Sequence, residues 1–166
     1  MVSLASPLPR GEGVSKPELA LAVQFVAKPD GAPTRHQFKK WVLAALQTDA
    51  EITLRIVDSA EGQTLNREYR NKDYATNVLT FPLNENPLMG DIVLCAPVVA
   101  LEAAEQHKSL HAHYAHLTIH GVLHLQGFDH ENDADAEAME ALETQIVTRL
   151  GYPPPYLILE NAIAHG

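Results

Sequence analysis

Residues 110–130 read LHAHYAHLTIHGVLHLQGFDH, and the way this stretch distributes its side chains decides the architecture. At about 100° per residue on a helix, His113, His116, His120 and His124 fall within one arc roughly 80° wide. The opposite arc carries Ala112, Ala115, Ile119, Val122 and Leu123, while Leu110, Tyr114, Leu117 and Leu125 flank the histidines. A helix that is apolar around so much of its circumference belongs inside a domain. Its histidine stripe then lines an internal cleft. Gly127 can adopt the left-handed conformation that ends a helix, which lets the chain turn back and bring His130 toward the same point.

Elements on either side of this helix follow from local patterns. Leu19–Ala27 is a short apolar run that reads as a strand, stopped by the turn chemistry of Lys28-Pro29-Asp30-Gly31. Thr34 is placed to cap a helix with Phe38, Trp41, Val42, Ala45 and Leu46 on one face. Glu51–Asp58, EITLRIVD, alternates apolar and polar residues as a half-buried strand does. Glu61–Arg70 reads as a helix, and Thr76–Phe81, TNVLTF, as a strand ending at Pro82 on a sheet edge. The stretch LNENPLMG reads as a loop into the strand Asp91–Cys95, and Pro97 suits the first turn of a helix. Three helices are expected near 97–107, 109–126 and 134–149, the last beginning in the carboxylate-rich ENDADAE. The order β-α-β-α-β-β-α-α-α predicts an α+β fold of α/β type: a single mixed sheet of about four strands with about five helices packed against it. The expected organisation is a disordered tail over 1–17, one folded domain over 18–158 and a C-terminal tail over 159–166.

Composition agrees with a single domain. The chain has 166 residues, 46% of them hydrophobic, which is enough to bury an ordinary core and excludes wholesale disorder. One cysteine, Cys95, excludes an intramolecular disulfide framework and a cysteine-cluster zinc site, and its apolar neighbours make it a buried small hydrophobe. No apolar run approaches the roughly 18 residues needed to span a bilayer. Leu19–Ala27 is too short, contains Gln24 and follows a Pro-rich leader without a basic region, so a cytoplasmic, reduced setting is expected. The net charge of −9 argues against a general polyanion binder. Yet Lys28–Lys72 holds eight basic residues against six acidic ones, so a focused basic groove is compatible with the total.

His120 and His124 are four apart, which places their side chains about 40° apart on one helix face, one turn above the other. Such a pair can hold one metal ion through imidazole nitrogens at about 2.0–2.1 Å. With His130 the set is three histidines and an open position, the pattern of a catalytic rather than a structural zinc site. His113 and His116, on the same stripe, are read as structural. The spacing H-x3-H-x5-H is that of the metzincin proteases, but their general-base glutamate is replaced by Gly121. That removes the proton acceptor of peptide hydrolysis, worth about 10²–10⁴-fold. Asp129 is the nearest carboxylate and reads as a group that orients a ligand histidine or closes the turn. No nucleophile elbow, phosphate-binding glycine loop or dinucleotide fingerprint is present.

HGVLHLQGFDH, residues 120–130, resembles the signature of the YbeY family, bacterial metal-dependent endoribonucleases of ribosomal RNA maturation. LNREYRNKDYATNVLTFP, residues 65–82, resembles that family's other characteristic stretch. Gly90-Asp91-Ile92 and the closing LETQIVTRLGY match in order, so the resemblance covers about residues 19–156. It implies a zinc-dependent, single-strand-specific endoribonuclease acting at the 3′ end of 16S ribosomal RNA, with a part in ribosome quality control. It implies His120, His124 and His130 as ligands of one Zn²⁺ per chain, and Arg70 as a residue important for activity. The implied partners are single-stranded ribosomal RNA and the small ribosomal subunit with its proteins, and neither a membrane nor DNA. Arg70 also suits the chemistry, because its planar fork matches a phosphate on which charge develops, with Arg67 and Lys72 adding positive field. The plainer alternative pairs Arg70 with Asp73 or Glu68 on a solvated face. The competing functions are a metalloprotease-like hydrolase and a non-catalytic, zinc-containing ribosome assembly factor.

Overall fold

In the computed structural model, residues 16–128 and 132–156 are described. Among them, strand β1 (Leu19–Phe25) leads to helix α1 (Arg35–Ala45), β2 (Ala50–Val57), α2 (Ser59–Arg70), β3 (Val78–Glu85), β4 (Leu88–Cys95), α3 (Ala96–Glu105), α4 (Leu110–Leu125) and α5 (Asp133–Arg149). The strands form one mixed sheet in the order β1-β2-β4-β3. β1 and β2 are parallel, β2 and β4 are parallel, and β3 returns antiparallel to β4 as an edge strand. This is the α+β architecture that the sequence predicts, in the predicted element order. None of the helices among the described residues is long and apolar enough to cross a membrane.

Local chemistry explains where elements start and stop. Thr34 and Gln37 form a reciprocal capping box at the start of α1, satisfying two backbone donors that the helix cannot. Asp58 caps α2 by accepting from Glu61 N, and Asn132 caps α5 by accepting from Asp135 N. Pro97 sits in the first turn of α3, where its missing N–H is no loss. The expected loop 83–90 is instead a tight hairpin: β3 runs on to Glu85, β4 begins at Leu88, and only Asn86 and Pro87 lie between. Three features hid these strand ends in the sequence. Pro82 cannot donate to a ladder, a register shift between Pro82 and Asn84 breaks the alternation, and Asn84 and Glu85 face solvent.

The core lies between one face of the sheet and the helices. Ile52, Leu54 and Ile56 of β2 and Ile92 and Leu94 of β4 pack against α1 and α4. Phe38 joins Trp41 and Tyr114 edge-to-face, with centroids 5.5 and 5.9 Å apart. α4 is the axis of the domain: 12 of its 16 residues are buried, and it contacts α1, α3, α5, β3 and β4. A smaller core of Val57, Leu79, Val93 and Cys95 lies on the opposite face beneath α2.

Gly121 lets α4 approach the sheet closely. A Cβ there would stand 3.1 Å from two carbons of buried Ile92 and 3.3 Å from Thr80 Cγ2. Overpacking of this kind costs about 1–3 kcal/mol, and alanine's better helix propensity returns about 1 kcal/mol. Gly121→Ala is therefore expected to lower stability by about 1 kcal/mol, read as a lower urea midpoint at unchanged slope; an unchanged midpoint would contradict the tight contact.

Candidate functional site

The C-terminal half of α4 presents His120 and His124 side by side, with ring centroids 4.6 Å apart and planes at 78°. Behind His120 lies Glu143 of α5, which is completely buried. One of its oxygens accepts a short hydrogen bond from His120 Nδ1. The other accepts from His116 Nε2 at 3.0 Å and from the Tyr156 hydroxyl. Burial pushes Glu143 up, but the bonds from His116 and His120 outweigh it and hold its carboxyl at about 2. His116 is shifted down, because burial disfavours its charge more than Glu143 favours it. Burial, followed by the neighbouring Glu143 charge, pushes the Tyr156 phenol up, so its hydroxyl stays protonated and donates. With Nδ1–H given to Glu143, the lone pair of a neutral His120 sits on Nε2. That is how a carboxylate fixes the tautomer and orientation of a metal-ligating histidine.

α4 ends as the glycine predicts. Gly127 has φ +98°, Gly127 N donates to His124 O at 3.0 Å, and Phe128 N donates to Leu123 O at 3.1 Å. This pair of bonds is a Schellman closure that reverses the chain directly after the histidines. The third expected ligand, His130, and the neighbouring Asp129 lie outside the described residues. Among the described residues, no group of three or more histidine, cysteine or carboxylate side chains gathers as a metal cage.

The remaining histidines of the stripe act as buried structural links. His113 Nε2 bonds Glu102 Oε1 at 2.9 Å, and Asn77 Nδ2 donates to the same oxygen at 2.9 Å. Burial pushes Glu102 up, but the bonds from His113 and Asn77 outweigh it, so the carboxyl lies below its ordinary range. This knot ties α3 and α4 to the segment before β3.

Arg70 closes the last turn of α2 but does not pair with Asp73 or Glu68. Its Nη2 donates to Thr80 O at 2.7 Å, and its guanidinium stands 5.7 Å from the Phe81 ring centroid. Asp73 pairs instead with Arg67 at 3.5 Å. Because the side chain of Thr80 faces Gly121, a single β3 residue separates Arg70 from the helix that carries His120. The packing of Gly121 on Ile92 and Thr80 also leaves no room for the metzincin glutamate at this position.

Glu143 and Tyr156 are the participants that sequence reasoning missed. A signal for Glu143 was present: Met139, Glu143, Ile146 and Val147 share the buried face of α5, so a carboxylate stands where the helix pattern calls for an apolar residue. A buried carboxylate requires partners, and the histidine stripe is the nearest source.

The fold and site together define an α+β domain built around a central helix whose paired histidines are braced by a buried carboxylate. The chain belongs to the endoribonuclease YbeY family: the sequence model of that family, described as Endoribonuclease YbeY, matches residues 29–151. Relatives named Endoribonuclease YbeY include one from Methylobacillus flagellatus, 60% identical over 84% of this chain and 95% of its own length. Another, from Nitrosomonas europaea, is 61% identical over 85% of this chain and 87% of its own. A solution structure of a Thermotoga maritima protein shares the fold with a TM-score of 0.55 at 27% identity, covering 78% of this chain and 86% of that one. The chain is thus an enzyme of a family of RNA hydrolases.

Proposed function

We propose that this protein is a zinc-dependent, single-strand-specific endoribonuclease that matures the 3′ end of 16S ribosomal RNA and serves ribosome quality control in the cytoplasm. One Zn²⁺ per chain would be held by His120, His124 and His130. When bound, zinc supplies Lewis acidity, either polarising a phosphoryl oxygen or acidifying a water. The observation that carries this reading is the hydrogen bond from His120 Nδ1 to buried Glu143, with His124 one turn further along α4. A carboxylate placed behind a histidine pair is the support that metal ligation asks for. Membership in the endoribonuclease YbeY family supports RNA as the substrate.

In this mechanism Glu143 orients His120, and the tight Gly127 turn directs the chain that carries His130. Arg70 neutralises the charge that builds on the non-bridging phosphate oxygens, its planar fork suited to two of them. Either water or the 2′-hydroxyl serves as nucleophile. The partners are single-stranded ribosomal RNA and the small ribosomal subunit with its proteins; no membrane or DNA is involved.

The test is cleavage of a ribosomal RNA fragment with a single-stranded 3′ tail by a nuclease-free preparation. Arg70→Ala is expected to slow the initial rate by about 10²–10³-fold, the usual cost of one lost charge-stabilising donor. Arg70→Lys should recover only part, because a point charge does not reproduce the fork. A wild-type rate in Arg70→Ala would remove Arg70 from the mechanism.

A further inference from the structure

The face of the sheet opposite α4 is only partly covered. α2 shelters its own side of that face, and next to it a groove of about 440 Å³ is lined by Gln24, Arg55, Tyr69, Phe81, Leu83 and Asp91, among others. Tyr69, on the rim, is 63% exposed. Its ring meets Phe81 edge-to-face at 5.2 Å, and Phe81 in turn lies beneath the Arg70 guanidinium. A large, flat ring is thus presented to solvent, held in place from behind, beside a cation that is itself anchored on Thr80 O.

The chemistry of the groove selects among occupants. It combines the Arg55–Glu61 ion pair, with Nε–Oε2 at 2.5 Å, Gln24 and Asp91 with apolar Leu65, Leu83 and Val93, so a fitting occupant offers both an apolar face and polar edges. Asp91 and Glu61 also disfavour a phosphate inside it. A nucleobase, by contrast, offers a neutral π-face for the tyrosine and polar edges for the groove. Its phosphates would remain outside, beside Arg67, Arg70 and Lys72 at the end of α2. The platform lies across the sheet from the histidine helix and is linked to it through edge strand β3: Gly121, next to His120, meets Thr80, whose carbonyl holds Arg70 over Phe81, which carries Tyr69.

We infer that Tyr69, backed by Phe81 and flanked by Arg70, is a base-stacking platform that receives an unpaired nucleotide of the RNA beside the one being cut. The inference rests on the endoribonuclease reading and extends it from the phosphate to the bases. It accounts for preference for single strands, since only an unstacked base exposes both of its faces.

The experiment uses the full-length, zinc-loaded protein and an unstructured oligoribonucleotide containing one 2-aminopurine, whose fluorescence is quenched by stacking. Association is followed by stopped flow, ahead of cleavage. Tyr69→Ala is expected to weaken binding roughly 5- to 100-fold, the usual range for one lost base–aromatic stack, and to abolish the quench. Tyr69→Phe and Tyr69→Trp should keep both, because the ring face rather than the hydroxyl acts. In cleavage, Tyr69→Ala should raise KM with a smaller change in kcat. Matching thermal midpoints for all variants establish that the fold is intact, as expected of so exposed a side chain. Wild-type binding and quench in Tyr69→Ala would overturn the platform, as would a Tyr69→Phe variant as weak as the alanine. If the wild type cuts the RNA and Tyr69→Ala cuts it with unchanged KM, the platform alone is wrong. If the wild type neither binds nor cuts, the endoribonuclease reading fails and the platform with it.

Discussion

His124→Ala is expected to lose bound zinc through dialysis and to cut RNA no faster than background. The proposed site uses three protein ligands, and removing one leaves two imidazoles and more water around the ion. Loss of a supporting carboxylate already costs roughly 10–100-fold in metal affinity, and loss of a ligand exceeds that. The effect should be confined to the site. His124 lies in the last turn of α4 and is only half-buried, while the Gly127 closure that ends the helix is made by backbone atoms. Metal content and urea unfolding on the same preparation separate the two effects: zinc should vanish while the unfolding midpoint matches that of zinc-stripped wild type. Stoichiometric zinc in this variant would remove His124 from the ligand set.

Glu143 is expected to affect both stability and metal affinity, and two substitutions divide the effects. Glu143 is fully buried and accepts from His116, His120 and Tyr156. Alanine would leave these three donors facing a cavity, at a cost of about 3–5 kcal/mol, the usual penalty for removing one partner of a buried charged network. Glu143→Gln keeps the volume and one acceptor oxygen, but its amide NH₂ meets a second donor instead of accepting from it. It should cost less stability yet still loosen His120, lowering zinc affinity roughly 10–100-fold in competition with a chromophoric chelator. Wild-type zinc affinity in Glu143→Gln would make Glu143 a purely structural residue.

The parts of the molecule that were legible in the sequence are those where a local rule and the tertiary structure agree. The Thr34 cap, the alternation of β2, Pro97 and the Gly127 stop each act within a few residues, and all appear where expected. The apolar circumference of α4 announced its central place, which its burial bears out. The β3–β4 hairpin was harder, because Asn84, Glu85 and Pro87 look like loop residues and an edge strand needs no apolar outer end. Arg70's partner was not legible at all. Its anchor is the Thr80 carbonyl, and a backbone acceptor leaves no trace in residue identity. Glu143 could have been found by asking why a carboxylate stands on a buried helix face. What joins it to His120 and His116 is the packing of α5 on α4, a contact between residues more than twenty positions apart.

The histidines of α4, with the zinc they are proposed to hold, are expected to cut single-stranded RNA. The most direct measurement compares cleavage of the 3′-tailed ribosomal RNA fragment by wild type, by wild type stripped with a chelator and then resupplied with zinc, and by His124→Ala. All three samples come through one nuclease-free purification. Cleavage that disappears on stripping, returns with zinc and is absent from His124→Ala is the predicted result. Equal cleavage by all three preparations, or none by the loaded wild type, would contradict it.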